Sequence, residues 1–219
     1  MPRPTQPILS RDLILRTALS VLDRTGRLNV SEVAQELGVS VSSLYHHVKG
    51  RAAIIEGIRG LIVDWDSGDQ QDWRNMVADW ARRYRDAFAE HPAAIPALVS
   101  QTVSDPAALR QYDAIATVLA DAGFSARSIV LSVSMLDTLC LGAALDVGAP
   151  SIVWDQPPDR QSALQDAIAS TRFENGRSEA AFALQLSCVI DGMAELRRAD
   201  LAVSSSPSGN YFDLKEPAR

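Results

Sequence analysis

Apolar side chains recur every three or four residues along most of this chain, and nowhere do they alternate over a strand-length segment. A 3.6-residue period puts them on one stripe of a helix, so the pattern dictates an all-α fold. Glycines, prolines and capping residues divide the helices. Ser10 caps a first helix whose stripe is Leu13, Thr17 and Val21 with Leu15, Leu19 and Leu22, and Gly26 closes it in a left-handed conformation. Asn29, with Glu32 three residues on, reads as a capping box ahead of Val33 and Leu37. Gly38 ends that short helix, and Ser40 caps a third containing Leu44 and Val48. A fourth is expected from Arg51 to Trp65 through Ile54, Ile55, Ile58 and Ile62. Further helices are predicted over 72–90, 92–103, 105–123, 125–146, 159–170 and 178–199, with an irregular loop at 148–158.

The segment from Asn29 to Lys49 constrains function most. Two short helices cross steeply around a tight turn: Ala34 is small at the closest approach, Gly38 supplies a positive φ, and Val33, Leu37, Val39, Leu44 and Val48 form a small core. This is the pattern of a helix-turn-helix. The outward face of its second helix carries Val41, Ser42, Ser43, Tyr45 and His46, short or amphipathic side chains suited to a major groove. Ser40 and the amides beside it are placed to meet a phosphate. The net charge of −6 argues against a nucleic-acid partner only until it is divided. Residues 1–60 hold eight basic side chains against five acidic, leaving the remainder of the chain acidic.

From Leu13 to Ile62 the chain resembles the DNA-binding domain of the TetR family of bacterial regulators. The run Leu44-Tyr45-His46-His47-Val48-Lys49-Gly50-Arg51 matches the family's signature at the end of the recognition helix. From Trp73 to Ala199 it more loosely resembles the tetracycline-repressor branch, through Gln111-Tyr112, Ala122-Gly123-Phe124-Ser125 and Leu141-Gly142-Ala143. The resemblance implies that Tyr45, Lys49 and Arg51 contact operator phosphates, while Val41, Ser42, Ser43 and His46 face bases. Ser31 stands where relatives often carry an arginine that reads a guanine. The resemblance, with a Pro-broken N-terminus and a C-terminus rich in Ser, Pro and Gly, gives the expected division of the chain: a flexible arm (1–9), a helix-turn-helix domain (10–50), a connecting helix (51–66), a ligand-binding and dimerisation domain (67–202) and a disordered tail (203–219).

Expected partners are a double-stranded DNA operator, a small-molecule effector and a second copy of the chain. The helix over 125–146 is rich in small residues (Ser132, Ser134, Gly142, Ala143, Ala144), as is the last helix (Ala183, Ser187, Gly192). These helices read either as a four-helix dimer interface or as core helices of a monomer, and the resemblance implies the dimer. Effector-lining candidates are Trp65, Trp80, Tyr84, Leu98, Gln101, Thr102, Tyr112, Met135, Asp137 and Thr138. Asp137, a carboxylate in an apolar helix, reads equally as a ligand contact, a cross-dimer partner or a solvated group. At the positions where the branch holds magnesium-tetracycline the chain has Ser67, Trp80, Leu98, Gln101 and Val118. Asp146 matches an acidic position there without its histidine, so a more apolar or aromatic effector is expected.

No cofactor and no metal is expected. His46 and His47 are adjacent on a helix and do not share a face, and Asp64, Asp66, Asp69 and Asp72 lack calcium-loop spacing. His47 is expected to pack or bond within the small domain. Cys140 and Cys188 read as buried thiols of a reducing cytoplasm, with a disulfide as the alternative. No membrane span or secretory signal is expected. A nucleophile elbow, a phosphate loop, a dinucleotide glycine fingerprint and a zinc-binding HExxH are all missing from the sequence, so the chain is not expected to be an enzyme. The rival to a regulator is an adaptor that keeps this fold but binds protein instead of DNA.

Overall fold

The computed structural model describes residues 9–63, 72–150, 153–154 and 162–204, and among these the regular structure is helical throughout. Helix α1 (Arg11–Thr25) starts where the Ser10 hydroxyl accepts from the Leu13 amide and stops at Gly26, whose φ of 70° lets its N–H return to the Leu22 carbonyl. Its buried face is Ile14, Leu15, Ala18, Val21 and Leu22, one position round from the Leu13–Thr17 stripe expected. Three consecutive apolar residues leave both registers open, and packing on the next long helix selects one. Helix α2 (Val30–Glu36) is capped by Asn29, which accepts from Ser31 and Glu32. Glu32 does not close the box; its carboxylate pairs with Arg24, as does that of Glu36.

Gly38, at φ 66°, reverses the chain, and helix α3 (Val41–His47) begins under the Ser40 cap. Val33, Ala34, Leu44 and Val48 close the small core beneath the turn. Helix α4 (Gly50–Ile62) then buries Ile54, Ile55, Ile58 and Ile62. Gly57 and Gly60 on α4 have positional reasons. A Cβ on Gly57 would stand 2.6 Å from the Leu15 side chain of α1, and one on Gly60 would collide with Asp105 Oδ1 and approach Ala107 Cβ to 3.1 Å. One helix is thus drawn close to α1 on one side and to the larger body on the other.

The larger body comprises α5 (Trp73–Ala89), a 3-10 turn (Pro92–Ala94), α6 (Ile95–Leu98), α7 (Pro106–Asp121), α8 (Ala126–Val147), α9 (Ala163–Ser170) and α10 (Arg177–Ser204). Helix α8 packs against α5, α7 and α10. It is long and apolar enough to cross a membrane by length and composition, yet here it is the helix the bundle is assembled on. Its buried face is rich in small residues (Ser128, Ser132, Cys140, Ala143, Ala144), which lets α5 bring Trp80, Tyr84 and Phe88 against it.

Some expectations fail. The helix predicted over 92–103 is only a 3-10 turn and the four-residue α6, because the Leu98 carbonyl accepts from Arg59 and the Gln101 amide instead of from Thr102. The last helix runs to Ser204, beyond Ala199 and two residues into the segment read as tail. His47 is exposed rather than packed, because Leu44 and Val48 fill the core side of α3. Cys188 is exposed too; both thiols are free and Cys140 alone is buried. The arm to residue 8, Asp64, Asp66 and Asp69, most of the 148–158 loop and the tail from residue 205 lie outside the described residues.

Asp105 sits at a junction, so Gly60 offers a test. The carboxylate caps α7 through the Ala107 and Ala108 amides and pairs with Arg11 at 2.5 Å, which leaves it no freedom to yield. Gly60→Val is expected to lower the unfolding free energy by roughly 1–3 kcal/mol through overpacking and loss of the cap. Equilibrium urea denaturation measures it.

Candidate functional sites: the reading head and an adjoining cavity

At the reading head, Ser42, Tyr45, His46 and His47 of α3 are exposed, while Val41 and Ser43 are half-buried at its edge. The Ser40 hydroxyl accepts from the Ser43 amide and lies 2.8 Å from both Ser42 Oγ and Ser43 Oγ, so its first role is to cap α3. Ser31 is exposed in the first turn of α2. Electrostatics sorts the cations here. Arg16 pairs with Asp12, and Arg24 with Glu32 and Glu36; these pairs hold both guanidinium pKa values above the ordinary range, chiefly through the hydrogen bonds. Arg27, Lys49 and Arg51 are exposed with no acidic partner among the described residues. Their charge remains available to an external anion.

A second site lies where α4 meets the larger body. An open cavity of about 670 Å³ is lined by Arg59 of α4, by Ile95, Leu98, Gln101 and Val103 in and after α6, and by Asp137, Thr138 and Leu145 of α8. Leu98, Gln101, Asp137 and Thr138, expected from sequence, meet here. Tyr84 and Tyr112 join them from α5 and α7: both hydroxyls donate to Asp137 Oδ1, at 2.6 and 2.7 Å, and lie 2.8 Å from each other. Burial first pushes both phenols above the ordinary tyrosine range; Tyr112 and then Asp137 raise Tyr84 further, whereas Tyr112 is raised by Asp137 and partly lowered by its bond to Tyr84. Trp80 stacks on Tyr84 at 4.7 Å between ring centroids and is fully buried beneath the network. Thr102 and Met135 are exposed and do not line this cavity, and Trp65 and Ser67 lie outside the described residues.

None of the three sequence readings of Asp137 anticipated two tyrosine hydroxyls from its own subunit. The sequence reading also missed Arg59 and Glu56. Both are buried; Arg59 Nη2 donates to the Leu98 carbonyl at 2.7 Å, its Nε lies 3.6 Å from Glu56 Oε1, and Glu56 Oε2 accepts from the Ser104 amide at 2.9 Å. Burial by itself lowers the Arg59 pKa, but Tyr112, Tyr84, Glu56 and Asp137 around it outweigh that and hold it above the ordinary range. The available signal was two charged residues three apart on the otherwise apolar face of a helix. Asp146, by contrast, pairs with Arg177 at 2.7 Å, and no cluster of metal-binding side chains occurs among the described residues.

Outside the cavity, α8 exposes Leu131, Met135, Thr138, Gly142 and Leu145, spaced four and three residues apart in turn, which is a coiled-coil seam. The neighbouring α10 exposes Ala183, Leu184, Ser187, Cys188 and Gly192, while Phe182, Leu186 and Met193 turn inward. Of the small residues expected at an interface, Ser132, Ala143 and Ala144 are buried within the subunit, whereas Ser134, Gly142, Ala183, Ser187 and Gly192 remain outside.

Comparison with known proteins places this architecture. The family model described as the tetracyclin repressor-like C-terminal domain matches residues 67–197. The class C tetracycline repressor protein of Escherichia coli is 26% identical over 210 residues, covering 86% of this chain and 92% of the relative. Two crystal structures of ActR from Streptomyces coelicolor share the fold. The apo form has a TM-score of 0.70 at 21% identity, covering 87% of this chain and 97% of ActR. The form in complex with actinorhodin has a TM-score of 0.69 at 20% identity, covering 86% and 98%. The helix-turn-helix at one end, the helical body matched by the family model and the relatives' regulatory character agree: the chain belongs to the tetracycline-repressor-like (TetR) family of transcriptional regulators.

Proposed function

We propose that the chain is a repressor that binds a palindromic operator as a homodimer and leaves it when a small, largely apolar or aromatic effector enters the cavity beside α4. The observation that carries this reading is the position of α4. Lys49 and Arg51 stand at its N-terminal end beside the recognition helix, and Arg59, two turns on, forms part of the cavity wall. A ligand that prefers a different placement of α4 therefore disfavours the DNA-bound state, and DNA weakens the ligand by the same factor. The relatives are regulators rather than enzymes, which agrees. ActR was crystallised with actinorhodin, a precedent for a ligand on this fold.

On DNA, Ser42, Ser43, His46 and Val41 face bases, Tyr45, Lys49 and Arg51 meet phosphates, and Ser31 and Ser40 flank the groove. One head reads only a few bases, so two copies must present their heads about 34 Å apart. The exposed seam of α8 with the adjoining face of α10 is the surface for that pairing. Its apolar side chains and close-approach glycines suit a four-helix contact.

The reading is tested by a gel shift with DNA from upstream of the chain's own gene across a salt series. Specific retardation that weakens with salt supports it, and failure to bind any such fragment sinks it in favour of the adaptor. Lys49→Ala is expected to weaken binding to every sequence alike and to lower the slope of log affinity against log salt by about 1. A second expectation concerns assembly: Leu184→Glu plants a charge on the pairing surface. Sedimentation is expected to find monomer where the unmodified chain is dimeric, and operator binding is expected to fall with it.

A further inference from the structure

We propose that the effector carries a basic nitrogen and that Asp137 anchors it; this rests on the effector-binding reading above. Most of the cavity wall is aliphatic: Ile95, Leu98, Val99, Val103, Leu141 and Leu145. Its charged groups are few enough to account for one by one. Arg59 has Glu56 beside it, Nε to Oε1 at 3.6 Å, and donates to the Leu98 carbonyl, while Glu56 also accepts the Ser104 amide. That cation and that anion offset each other within one helix.

Asp137 is within electrostatic reach of Arg59 but forms no ion pair with it. Both tyrosine protons are spent on its Oδ1, and among the described residues Oδ2 accepts no hydrogen bond and no cationic side chain pairs with the carboxylate. The polar end of the cavity thus sums to one negative charge. Carboxylates taken out of water require pairing, and a ligand that fills an aliphatic cavity excludes water from it. An ammonium satisfies Oδ2 and the charge together, in surroundings where their attraction exceeds its value in water. A ligand carboxylate aimed at Arg59 instead places a third negative charge beside Asp137 and Glu56. A neutral hydroxyl satisfies the oxygen but leaves the charge uncompensated.

Three probes with one apolar body separate these cases: phenylbutylamine, phenylbutanol and phenylbutyric acid, titrated calorimetrically into the full-length protein at neutral pH. The amine is expected to bind about tenfold or more tightly than the alcohol, with the acid weakest. In Asp137→Asn the amine's advantage is expected to shrink to within about twofold. Equal affinities, a preference for the acid, or an advantage that survives Asp137→Asn overturns the proposal while leaving the effector reading standing, because the cavity then still takes apolar ligands. Binding of none of the three overturns both. The series on the unmodified chain decides the matter alone if the variant does not fold.

Discussion

The arrangement turns on a stretch of backbone that cannot continue as helix. After Leu98 the chain turns through Val99 and Ser100 and then runs without regular structure to Asp105, fastened at three points: Arg59 to the Leu98 carbonyl, the Ser104 amide to Glu56, and Asp105 to Arg11. Two of the anchors lie on α4 and one on α1, the helices that support the reading head. The same stretch contributes Leu98, Val99, Gln101 and Val103 to the cavity. Anything that displaces it from the cavity side acts directly on bonds to the DNA-binding end. His91 to Asp23 of α1, at 2.8 Å, is another connection between the two ends.

Energetics explains why such a stretch is held by charges rather than by packing. A buried ion pair recovers little more than its desolvation cost, and matched apolar residues often stabilise as well or better. Glu56 and Arg59 are therefore poorly accounted for as stabilisers. What they supply is direction: a guanidinium and a carboxylate take up one carbonyl and one amide that the truncated α6 leaves without helical partners. Removing either partner alone leaves a buried charge uncompensated, at a cost of several kcal/mol. The pair thus binds the connecting segment to α4 in one register, and repacking α4 alone cannot release it.

The local features were legible because their causes are local. Gly26 and Gly38 take positive φ where the sequence required it, and Ser10, Asn29, Ser40, Asp105 and Ser125 cap the helices they precede. The reading head follows from spacing alone. The failures share a different cause. Helix α6 is cut short by a side chain 39 residues earlier in the chain, and Asp137 is claimed by tyrosines on two other helices. Periodicity counts apolar residues along one helix; it does not register a polar side chain reaching across to another. Cys188 and His47 fall outside it for a related reason, since a half-apolar helix with two packed neighbours still exposes a face.

That exposed face bears on the cavity. Thr138, Gly142 and Leu145 belong both to the apolar seam of α8 and to the cavity lining, so the two surfaces are continuous. In the proposed dimer, a second copy seated on the seam adds a wall to the cavity that the single chain leaves open. Ligand affinity and pairing geometry then become properties of the same few residues. Small side chains at this place, Gly142 above all, suit both demands of the proposed pairing: open space lies over Gly142 on the seam, and room is left beside Asp137. A bulkier residue there would tighten one function only by filling the space required by the other.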